Sequence, residues 1–341
     1  MRCLDSPSFR RGGMALRDVI IIGGGLAGLS AALYLGRSRR DTLLIHSGRS
    51  MAKWEPQVQN YLGFPDGVAG TELLDRGMDH AARFEVELRE DEIQSVTTSS
   101  DTFHLQGRQG SYDARRVLIA TGLTHLPPDI PGVKECVGKS LFFCKDCDAY
   151  RLQGKRVVII GRNNEAADYA LGMLLFTQSV TVVTNGSDAS WDDDRDGWLE
   201  EYRIPVRPDE ITSLEHEDGR VRTMTFARGE STQVDAIFTT RGDVPHSGLA
   251  TGLGASVDAE GQIIVDDRLR TNVLGLYAAG CVTPANCQMI IAAGQGAAAG
   301  QAINRDLFEE SLRQHRLPRF EEQSHKKQTR KGASAATQRG V

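Results

Sequence analysis

The 341-residue sequence predicts an α/β fold of two lobes, with the second lobe inserted in the first. A short apolar run, a glycine-rich turn and an apolar helical stretch follow one another at residues 19–35, and the same order returns at residues 156–176. A further apolar run follows each unit, at residues 42–45 and 180–183. Two such βαβ units predict two Rossmann-like, three-layer dinucleotide-binding lobes.

Changes in composition along the chain predict its domain boundaries. Residues 1–16 carry three Arg and no hydrophobic periodicity, so we expect a flexible leader. Residues 323–341 hold five Lys or Arg and no acidic residue, which is typical of a solvated, disordered end. The predicted organisation is a leader at 1–16, a first lobe at 17–122 and 244–312, a central lobe at 123–243 and a basic C-terminal tail at 313–341.

Composition excludes several classes of partner. Forty Lys and Arg against 45 Asp and Glu give a net charge of −5, so no overall positive field would attract nucleic acid or an anionic membrane. Apolar runs such as residues 117–120 and 289–293 are far shorter than the roughly 18 residues of a membrane helix. Residues 1–17 contain no apolar core of a signal peptide, so we expect a cytoplasmic protein.

The first glycine-rich turn consists of Gly23, Gly24, Gly25, Leu26, Ala27 and Gly28. In this G-x-G-x-x-G spacing, Gly23 permits a tight turn, Gly25 lets the backbone approach a pyrophosphate, and Gly28 lets helix and strand pack closely. The N-terminus of the helix then offers N–H groups to the phosphates. His46, followed by Ser47, replaces the acidic residue expected to bind a ribose at the end of the next strand. His46 could still bond a ribose, or it could cap the strand.

The second glycine-rich turn is altered; it consists of Gly161, Arg162, Asn163, Asn164, Glu165 and Ala166. Asn163 occupies the position of the middle glycine and puts a side chain where a phosphate would approach. Residues 184–186 offer no Arg or Lys to a 2′-phosphate, although Arg162 or Arg195 could supply a cation from elsewhere. An acidic segment at 188–201, expected as a solvated loop, would repel an anion unless its acids point away. We therefore expect poor NADPH binding.

Between the two lobes, Cys144 and Cys147 form a Cys-x-x-Cys pair followed at once by Asp148. One thiolate of such a pair attacks a substrate disulfide, and the second sulfur resolves the mixed disulfide. Asp148 is placed to supply the proton that the leaving thiolate needs. The alternatives are an inert buried pair or half of a zinc site. Because the sequence has no second Cys-x-x-Cys and its eight His show no ligand spacing, we expect no metal.

Two further cysteines lie near the end of the first lobe, at Cys281 and Cys287. The five-residue segment between them could fold back and pair them. Buried spectator thiols are the expected case.

Five separated motifs, in this order, resemble the low-molecular-weight thioredoxin reductase family of flavoprotein disulfide oxidoreductases over residues 17–312. They are the turn at 23–28, the segment VQNYLGFP at 58–65, Ala-Thr-Gly at 120–122, the Cys pair with Asp148, and the run from Ala-Ala-Gly at 278–280 to Gly296.

The resemblance implies FAD in the first lobe, a homodimer, and a thioredoxin-like protein or small disulfide as partner. It places Asn60 and Gln288 near the isoalloxazine, turns Cys147 towards the flavin and Cys144 towards the substrate, and lets the central lobe rotate between the two. Besides the first glycine-rich turn, the implied cofactor-binding residues are His46, Ser47, Asn60, Thr121, Gly122, Gly280, Cys281, Gln288 and Met289.

The sequence departs from the family at two places. Gly280-Cys281 replaces the Gly-Asp pair whose Asp usually holds the ribityl chain, and the NADPH signature is absent from the second turn and from residues 184–186. The chain looks most like the cyanobacterial deeply rooted branch, which does not use pyridine nucleotides. The expected donor is ferredoxin, another protein or a second FAD in the central lobe. A conventional NADPH-thioredoxin reductase, an oxygen-dependent dithiol oxidase and a redox-sensing flavoprotein are the alternatives.

Overall fold

The computed structural model describes residues 16–240 and 242–317. The tail beyond residue 317 and all but the last residue of the predicted leader lie outside the described residues. Leu16, assigned to the leader from the sequence, instead begins the first strand, and Arg313, assigned to the tail, ends the last helix.

In the first lobe, strands and helices alternate as far as the third strand, and three further strands follow it without a helix. In chain order they are β1 (Leu16–Ile22), α1 (Leu26–Arg37), β2 (Thr42–His46), α2 (Gly70–Ala82), β3 (Glu87–Glu90), β4 (Ile93–Ser99), β5 (Thr102–Gly107) and β6 (Ser111–Ile119). A 3₁₀ turn at Met51–Trp54 precedes α2.

The central part and the return to the first lobe follow. They contain β7 (Leu123–His125), β8 (Leu141–Phe142), α3 (Lys145–Asp148), β9 (Val157–Ile160), α4 (Asn164–Met173), β10 (Val180–Val183), α5 (Asp193–Glu201), β11 (Val206–Arg207), β12 (Ile211–Glu217), β13 (Arg220–Phe226), β14 (Ser231–Gln233), β15 (Ala236–Thr239), β16 (Asp243–Pro245), α6 (Gly248–Thr251), β17 (Leu276–Ala278) and α7 (Met289–Arg313). Further 3₁₀ turns lie at Lys134–Cys136 and Ala149–Leu152.

The first sheet has the strand order β3-β2-β1-β6-β5-β4, and β17 pairs with β6 in parallel. Successive residues of β1 point to opposite faces: Val19 and Ile21 pack under α1 and α7, whereas Ile20 and Ile22 pack on the other side. Both faces are covered, which explains why this strand reads as a continuous apolar run rather than an alternating one.

The second sheet is entirely parallel, in the order β11-β10-β9-β15-β8. Helices α4 and α5 cover one face, and the antiparallel sheet β12-β13-β14 covers the other. Because β17 returns to the first sheet after this lobe is complete, the second lobe is an insertion. The predicted fold class, two Rossmann-like three-layer lobes with the second inside the first, is confirmed.

The two chain crossings between the lobes lie side by side. Strand β7 leaves the first lobe and β16 returns to it, and the two pair antiparallel through His125 and Asp243. The short helix α3, which contains Cys147 and follows Cys144, starts three residues after β8, at the edge of the second sheet. The connection therefore brings the Cys-x-x-Cys pair beside the carboxyl ends of the first lobe's strands.

Two local predictions for the second lobe were wrong. Helix α4 begins at Asn164, inside the turn predicted at residues 161–166, because the side chain of Asn163 caps its first turn. The acidic segment forms helix α5 rather than a solvated loop: Asp192 caps it, and Asp193, Asp194 and Asp196 lie in its first turn, where the helix dipole favours negative charge.

Within residues 16–240 and 242–317, no helix is both long enough and apolar enough to cross a membrane.

Candidate active site

A cavity of about 1100 Å³ extends from the first glycine-rich turn to the Cys-x-x-Cys pair. Residues of both lobes line it, so its shape depends on how the lobes pack. Of the cofactor-binding residues predicted from the sequence, those that line the cavity are Gly23, Gly24, Gly25, Leu26, Ala27, Ser47, Asn60, Thr121, Gly122, Gly280, Cys281, Gln288 and Met289. Gly28 and His46 do not line it.

The N-terminus of α1 faces this cavity without a side-chain cap. Gly25 is its N-cap residue, and a Cβ placed there would have Ser50 Oγ, 3.9 Å away, as its nearest neighbour. By contrast, a Cβ on Gly28 would lie 1.9 Å from the carbonyl oxygen of Gly23, and one on Gly23 would lie 2.1 Å from that of Ala120. Gly23 and Gly28 are therefore needed for packing, and Gly25 leaves free space in front of the helix N–H groups. These residues fit the pyrophosphate of a dinucleotide such as FAD.

His46 caps the end of β2 and does not line the cavity. The Nδ1 of His46 accepts a hydrogen bond from the backbone N–H of Gly48 at 3.3 Å. The Cβ of His46 also packs against Gly24, since a Cβ added to that glycine would lie only 2.7 Å from it. Of the two roles left open by the sequence, the geometry matches the strand cap. Ser47, the next residue, is the one that lines the cavity.

Cys144 and Cys147 form a disulfide on a single helical turn, with their Cα atoms 5.3 Å apart. Cys144 is the N-cap residue of α3, and its Sγ accepts a hydrogen bond from the N–H of Cys147 at 3.1 Å. Both residues are half-buried and line the cavity, so the pair is neither fully enclosed nor remote from the predicted cofactor site.

Asp148 lies behind the disulfide as one of the few buried carboxyl groups, and it pairs with Arg151. Burial raises the pKa of Asp148 to about 6, with Arg151 opposing the shift. Glu55, half-buried in the cavity wall, has its pKa raised to about 7 by burial and then by the charge of Asp148, whereas Arg151 and His125 oppose the shift. Two carboxyl groups beside the disulfide thus exchange protons near neutral pH.

Sequence reasoning missed Glu55, Arg151 and His125. Glu55 lies three residues before the 58–65 motif, but no spacing rule links it to a cysteine pair 89 residues later; only the packing of the lobes joins them. Arg151 had a local signal, since it lies three residues after Asp148 in a helical region.

The wall of the cavity where the lobes meet is aromatic. The ring of His125, from β7, stacks on Phe143 with centroids 4.6 Å apart and planes 14° apart. His125 Nδ1 also bonds the carboxylate of Asp243, and Trp54 of the first lobe approaches Phe143 at 6.4 Å. These contacts fix the segment before Cys144 against the first lobe.

The second glycine-rich turn lies away from this cavity, and none of its six residues lines it. The side chain of Asn163 accepts hydrogen bonds from the N–H of Ala166 at 3.2 Å and from the hydroxyl of Thr240 at 3.0 Å. Asn164 exchanges two hydrogen bonds with Asp192, at 3.0 and 2.9 Å. The N-terminus of α4 is therefore capped by the protein's own side chain, unlike that of α1.

The charge of Arg195 is already paired. Its guanidinium donates to both carboxylate oxygens of Asp168, at 2.8 and 2.9 Å, and to Asp192 at 2.6 Å. Arg162 is exposed beside the turn, and its carbonyl oxygen accepts from the N–H of Ser190. Of the two cations that the sequence offered as substitutes, Arg195 is thus occupied by carboxylates.

Cys281 and Cys287 form a second disulfide, with Cα atoms 4.9 Å apart. The expectation of spectator thiols was wrong, because the intervening segment folds back and brings the two sulfurs together. Cys136 remains a buried thiol; burial raises its pKa, and its Sγ donates to the carbonyl oxygen of Gly132 at 3.3 Å. Among the described residues no cluster of potential ligands could hold a metal.

Comparison with known proteins agrees with this arrangement. A sequence model of the pyridine nucleotide-disulphide oxidoreductase family matches residues 17–299. The chain is 32% identical to the thioredoxin reductase of Treponema pallidum over 84% of its own length and 95% of the relative's. Its fold is similar to the crystal structure of HlmI, with a TM-score of 0.83, 31% identity, and 88% and 95% of the two chains covered. It is also similar to the thioredoxin reductase of Streptococcus pyogenes, with a TM-score of 0.82, 26% identity, and 87% and 100% covered.

The sequence and the fold are thus similar to those of thioredoxin reductases over most of the chain. The chain belongs to the pyridine nucleotide-disulphide oxidoreductase family and is a flavoprotein disulfide oxidoreductase of the thioredoxin-reductase type.

Proposed function

We propose that this enzyme passes electrons between FAD and the Cys144–Cys147 pair, and that its electron donor is not NADPH. The observation that carries the proposal is the side chain of Asn163, which occupies the helix N-terminus where a nucleotide pyrophosphate would bind. The donor would be a protein such as ferredoxin, or a second flavin in the central lobe. This is the behaviour expected of the cyanobacterial deeply rooted branch.

The first lobe, at residues 17–122 and 244–312, is the proposed FAD domain. The uncapped N-terminus of α1 would hold the pyrophosphate, with Gly25 leaving the necessary space. Asn60 and Gln288 line the same cavity as the cysteine pair and would contact the isoalloxazine. When bound, FAD supplies two-electron exchange with a disulfide.

The chain's own residues account for the exchange with substrate. In the reduced pair, the Cys144 thiolate attacks one sulfur of a substrate disulfide; the S–S bond of the substrate breaks and a mixed disulfide forms. Cys147 then attacks Cys144 Sγ, which closes the internal disulfide and releases the second substrate sulfur. The substrate gains two electrons and two protons. Asp148 and Glu55, whose pKa values lie at about 6 and 7, are the proposed proton donors to the leaving thiolates.

Three further features support the assignment of a donor other than NADPH. Arg195 is neutralised by Asp168 and Asp192, so its charge is not free for a 2′-phosphate. The first helical turn of α5 lies next to the second glycine-rich turn and contains three aspartates, which would repel a phosphate. Hydrogen bonds to a charged phosphate contribute about 1.5–3 kcal/mol each, and the segment Thr-Asn-Gly at residues 184–186 stands where the family carries its arginine cluster.

An anaerobic titration tests the proposal. The purified yellow protein is mixed with NADPH or NADH while the flavin absorbance is followed, and dithionite serves as the control that the flavin is reducible. We expect no bleaching at micromolar nucleotide and full bleaching with dithionite. Rapid stoichiometric bleaching by NADPH would overturn the proposal. Released flavin is counted per chain: one equivalent favours an external protein donor, and two favour a second flavin in the central lobe.

The second candidate is a conventional NADPH-thioredoxin reductase, which is favoured by relatives such as the thioredoxin reductase of Treponema pallidum. Arg162 would then supply the cation for the 2′-phosphate. In that case Arg162→Ala would raise the KM for NADPH many-fold and leave the reaction with dithionite unchanged. In either case the proposed partner is a thioredoxin-like protein or small disulfide, and the proposed assembly is a homodimer.

A further inference from the structure

The second disulfide, Cys281–Cys287, opens onto the same cavity as Cys144–Cys147. Both of its residues are half-buried rather than enclosed. A disulfide that only holds a loop together needs no access to a reaction cavity. This one lies in the wall of the cavity that also contains the first cysteine pair.

The loop bearing this disulfide is held in place without it. The carbonyl oxygen of the Gln295 side chain accepts from the N–H of Gly280 at 2.7 Å, and the Thr283 hydroxyl donates to the Gly280 carbonyl at 2.8 Å. Val282 is fully buried in the core under the first sheet, and its carbonyl accepts from Ile263 N–H at 2.8 Å. These contacts anchor the segment at Cys281, and α7, which starts two residues after Cys287, anchors its other end, so both ends of the segment stay in place when the S–S bond opens.

The local field also suits reduction. Cys287 directly precedes Gln288, the N-cap residue of the 25-residue helix α7, which has no side-chain cap. The N-terminal end of a long helix carries partial positive charge, which stabilises an anion such as a thiolate.

We propose that Cys281–Cys287 is a second redox-active disulfide, reduced by a dithiol, so that each chain stores four electrons in two cysteine pairs. The proposal rests on the proposed redox role of Cys144–Cys147. One thiolate of the reducing dithiol attacks a sulfur of the Cys281–Cys287 bond, which breaks as a mixed disulfide forms. The dithiol's second thiolate then displaces the bound cysteine. The dithiol is oxidised to a disulfide, and Cys281 and Cys287 gain two electrons and two protons. The reducing dithiol is either the reduced first pair or a free dithiol.

Alkylation of the native holoenzyme tests this proposal. Wild type, C144S/C147S and C281S/C287S are incubated anaerobically with dithiothreitol, treated with N-ethylmaleimide without denaturant, and mapped by peptide mass spectrometry. Without reductant, we expect no label on either pair. After reduction, we expect label at all four positions in wild type and at both 144 and 147 in C281S/C287S. Peptide mapping reports the two pairs separately, so failure of the first pair is distinguishable from failure of the second.

The variants also distinguish the two sources of reducing dithiol. If Cys281 and Cys287 are labelled in C144S/C147S, a free dithiol is sufficient to reduce them. If they are labelled in wild type but not in C144S/C147S, the reduced first pair is their reductant. Both outcomes support the proposal. Label at Cys281 and Cys287 only after denaturation, or already before reduction, would overturn it. As a second readout, wild type should consume one more two-electron equivalent of dithionite than C281S/C287S, and equal consumption would likewise contradict a second redox centre.

Discussion

Asp148 and Glu55 show how burial sets the chemistry of single residues in this site. Both carboxyl groups lie where water is partly excluded, so their charged forms are disfavoured and their pKa values rise to about 6 and about 7. Arg151 pairs with Asp148 and limits the shift. The result is a pair of carboxyl groups whose pKa values lie close enough to neutral pH for each to release and regain a proton there, which is what a proton donor to a leaving thiolate needs.

We predict that disulfide reduction slows as pH rises through about 6 to 7, because Asp148 and Glu55 lose the protons that they would donate. Asp148→Asn should lower the rate of this step on the order of 10²-fold. Glu55→Gln should shift the high-pH limb of the profile with a smaller loss. Stopped-flow turnover of a small disulfide across pH measures both effects. A profile for Asp148→Asn that matches wild type would exclude it as the proton donor.

The same two shifts predict how stability depends on pH. Their pKa values in the folded chain exceed the ordinary values for carboxyl groups, so between about pH 4 and 7 the folded state binds more protons than the unfolded state. The contribution of these groups to the free energy of unfolding is therefore full below that range and is lost as pH rises through it. Urea unfolding of Glu55→Gln, whose side chain does not titrate, should show a flatter dependence than wild type. An unchanged slope would mean that Glu55 does not hold its proton as described.

Cys147 is the cysteine expected to face the flavin. Cys147→Ser should lower disulfide turnover by on the order of 10³-fold or more, because Cys147 contributes a reacting sulfur. FAD should stay bound, because its proposed pyrophosphate site at Gly25 lies in another part of the cavity. Turnover and the flavin content per chain are the measurements. Cys136→Ser is the control, since that thiol is buried and outside the cavity. Full turnover by Cys147→Ser would disprove the mechanism.

At the scale of elements, the N-termini of α1 and α4 are equivalent in the two lobes and differ in one respect. The N-cap residue of α1 is Gly25, which offers no side-chain cap, whereas the N-cap residue of α4 is Asn163, whose Oδ1 accepts a hydrogen bond from the N–H of Ala166. A helix N–H group that is already bonded within the protein is not available to a phosphate. The N-terminus of α1 can therefore bind an anionic ligand, whereas the N-terminus of α4 is already hydrogen-bonded to Asn163.

Two glycines of the first turn make a matched pair of tests. In Gly25→Ser the fold should persist, because φ is −79°, the nearest atom to a Cβ is 3.9 Å away, and serine is a favourable N-cap residue. Its side chain should nevertheless fill the space of the pyrophosphate and abolish FAD binding. In Gly28→Ala the Cβ would lie 1.9 Å from the Gly23 carbonyl oxygen, so the chain should lose about 1–3 kcal/mol or more of stability.

Circular dichroism and FAD titration distinguish the two outcomes. A folded Gly25→Ser that still binds FAD with the affinity of wild type would show that the pyrophosphate does not lie at this helix end. Normal stability of Gly28→Ala would contradict the close packing of α1 on the turn before it.

At the scale of the whole molecule, the packing of the two lobes brings the Cys144–Cys147 pair into the wall of a cavity that is lined mostly by the first lobe. Trp54 of the first lobe meets Phe143 of the second, and Phe143 stacks on His125 of β7. A Cβ on Gly138 would lie 2.0 Å from the carbonyl oxygen of Trp54, so the lobes are in close contact there. Cys144 is half-buried in the wall of the cavity beside these contacts, so a folded protein partner should reach it less easily than a small molecule does.

We therefore predict that the lobes must rotate before a protein substrate reaches the pair. In a Cys147→Ser variant, Cys144 should react with a small maleimide quickly and with a polymer-linked maleimide slowly, at a rate set by opening of the lobes. Trp54→Ala, which removes a contact between the lobes, should raise the rate at which the polymer-linked maleimide labels Cys144 and leave the rate with the small maleimide unchanged. Peptide mapping measures labelling at Cys144. Equal rates for the two reagents in the parent variant would show that no opening is required.

Much of the fold was predictable because its signals are local in sequence. The strand, glycine-rich turn and helix at residues 16–37 follow from a four-residue apolar run and the spacing of three glycines, and β10 was predicted with the observed bounds. The boundary of α4 was missed because a single side-chain cap, at Asn163, outweighed the apolar pattern on which the prediction relied. The helix α5 was missed because its capping and its charges, rather than an apolar stripe, define it.

The sequence by itself determined the fold class, the family resemblance and the identity of the redox pair, since the chemistry of Cys144, Cys147 and Asp148 lies within five residues. Only the tertiary structure decided that Glu55 lies in the cavity wall with a raised pKa, that Cys281 and Cys287 are joined, and that Arg195 is paired with carboxylates. The physical reason is that the burial of a carboxyl group, the meeting of two sulfurs and the pairing of a guanidinium depend on distances in space. Those distances are set by chain segments that the sequence separates by up to about ninety residues.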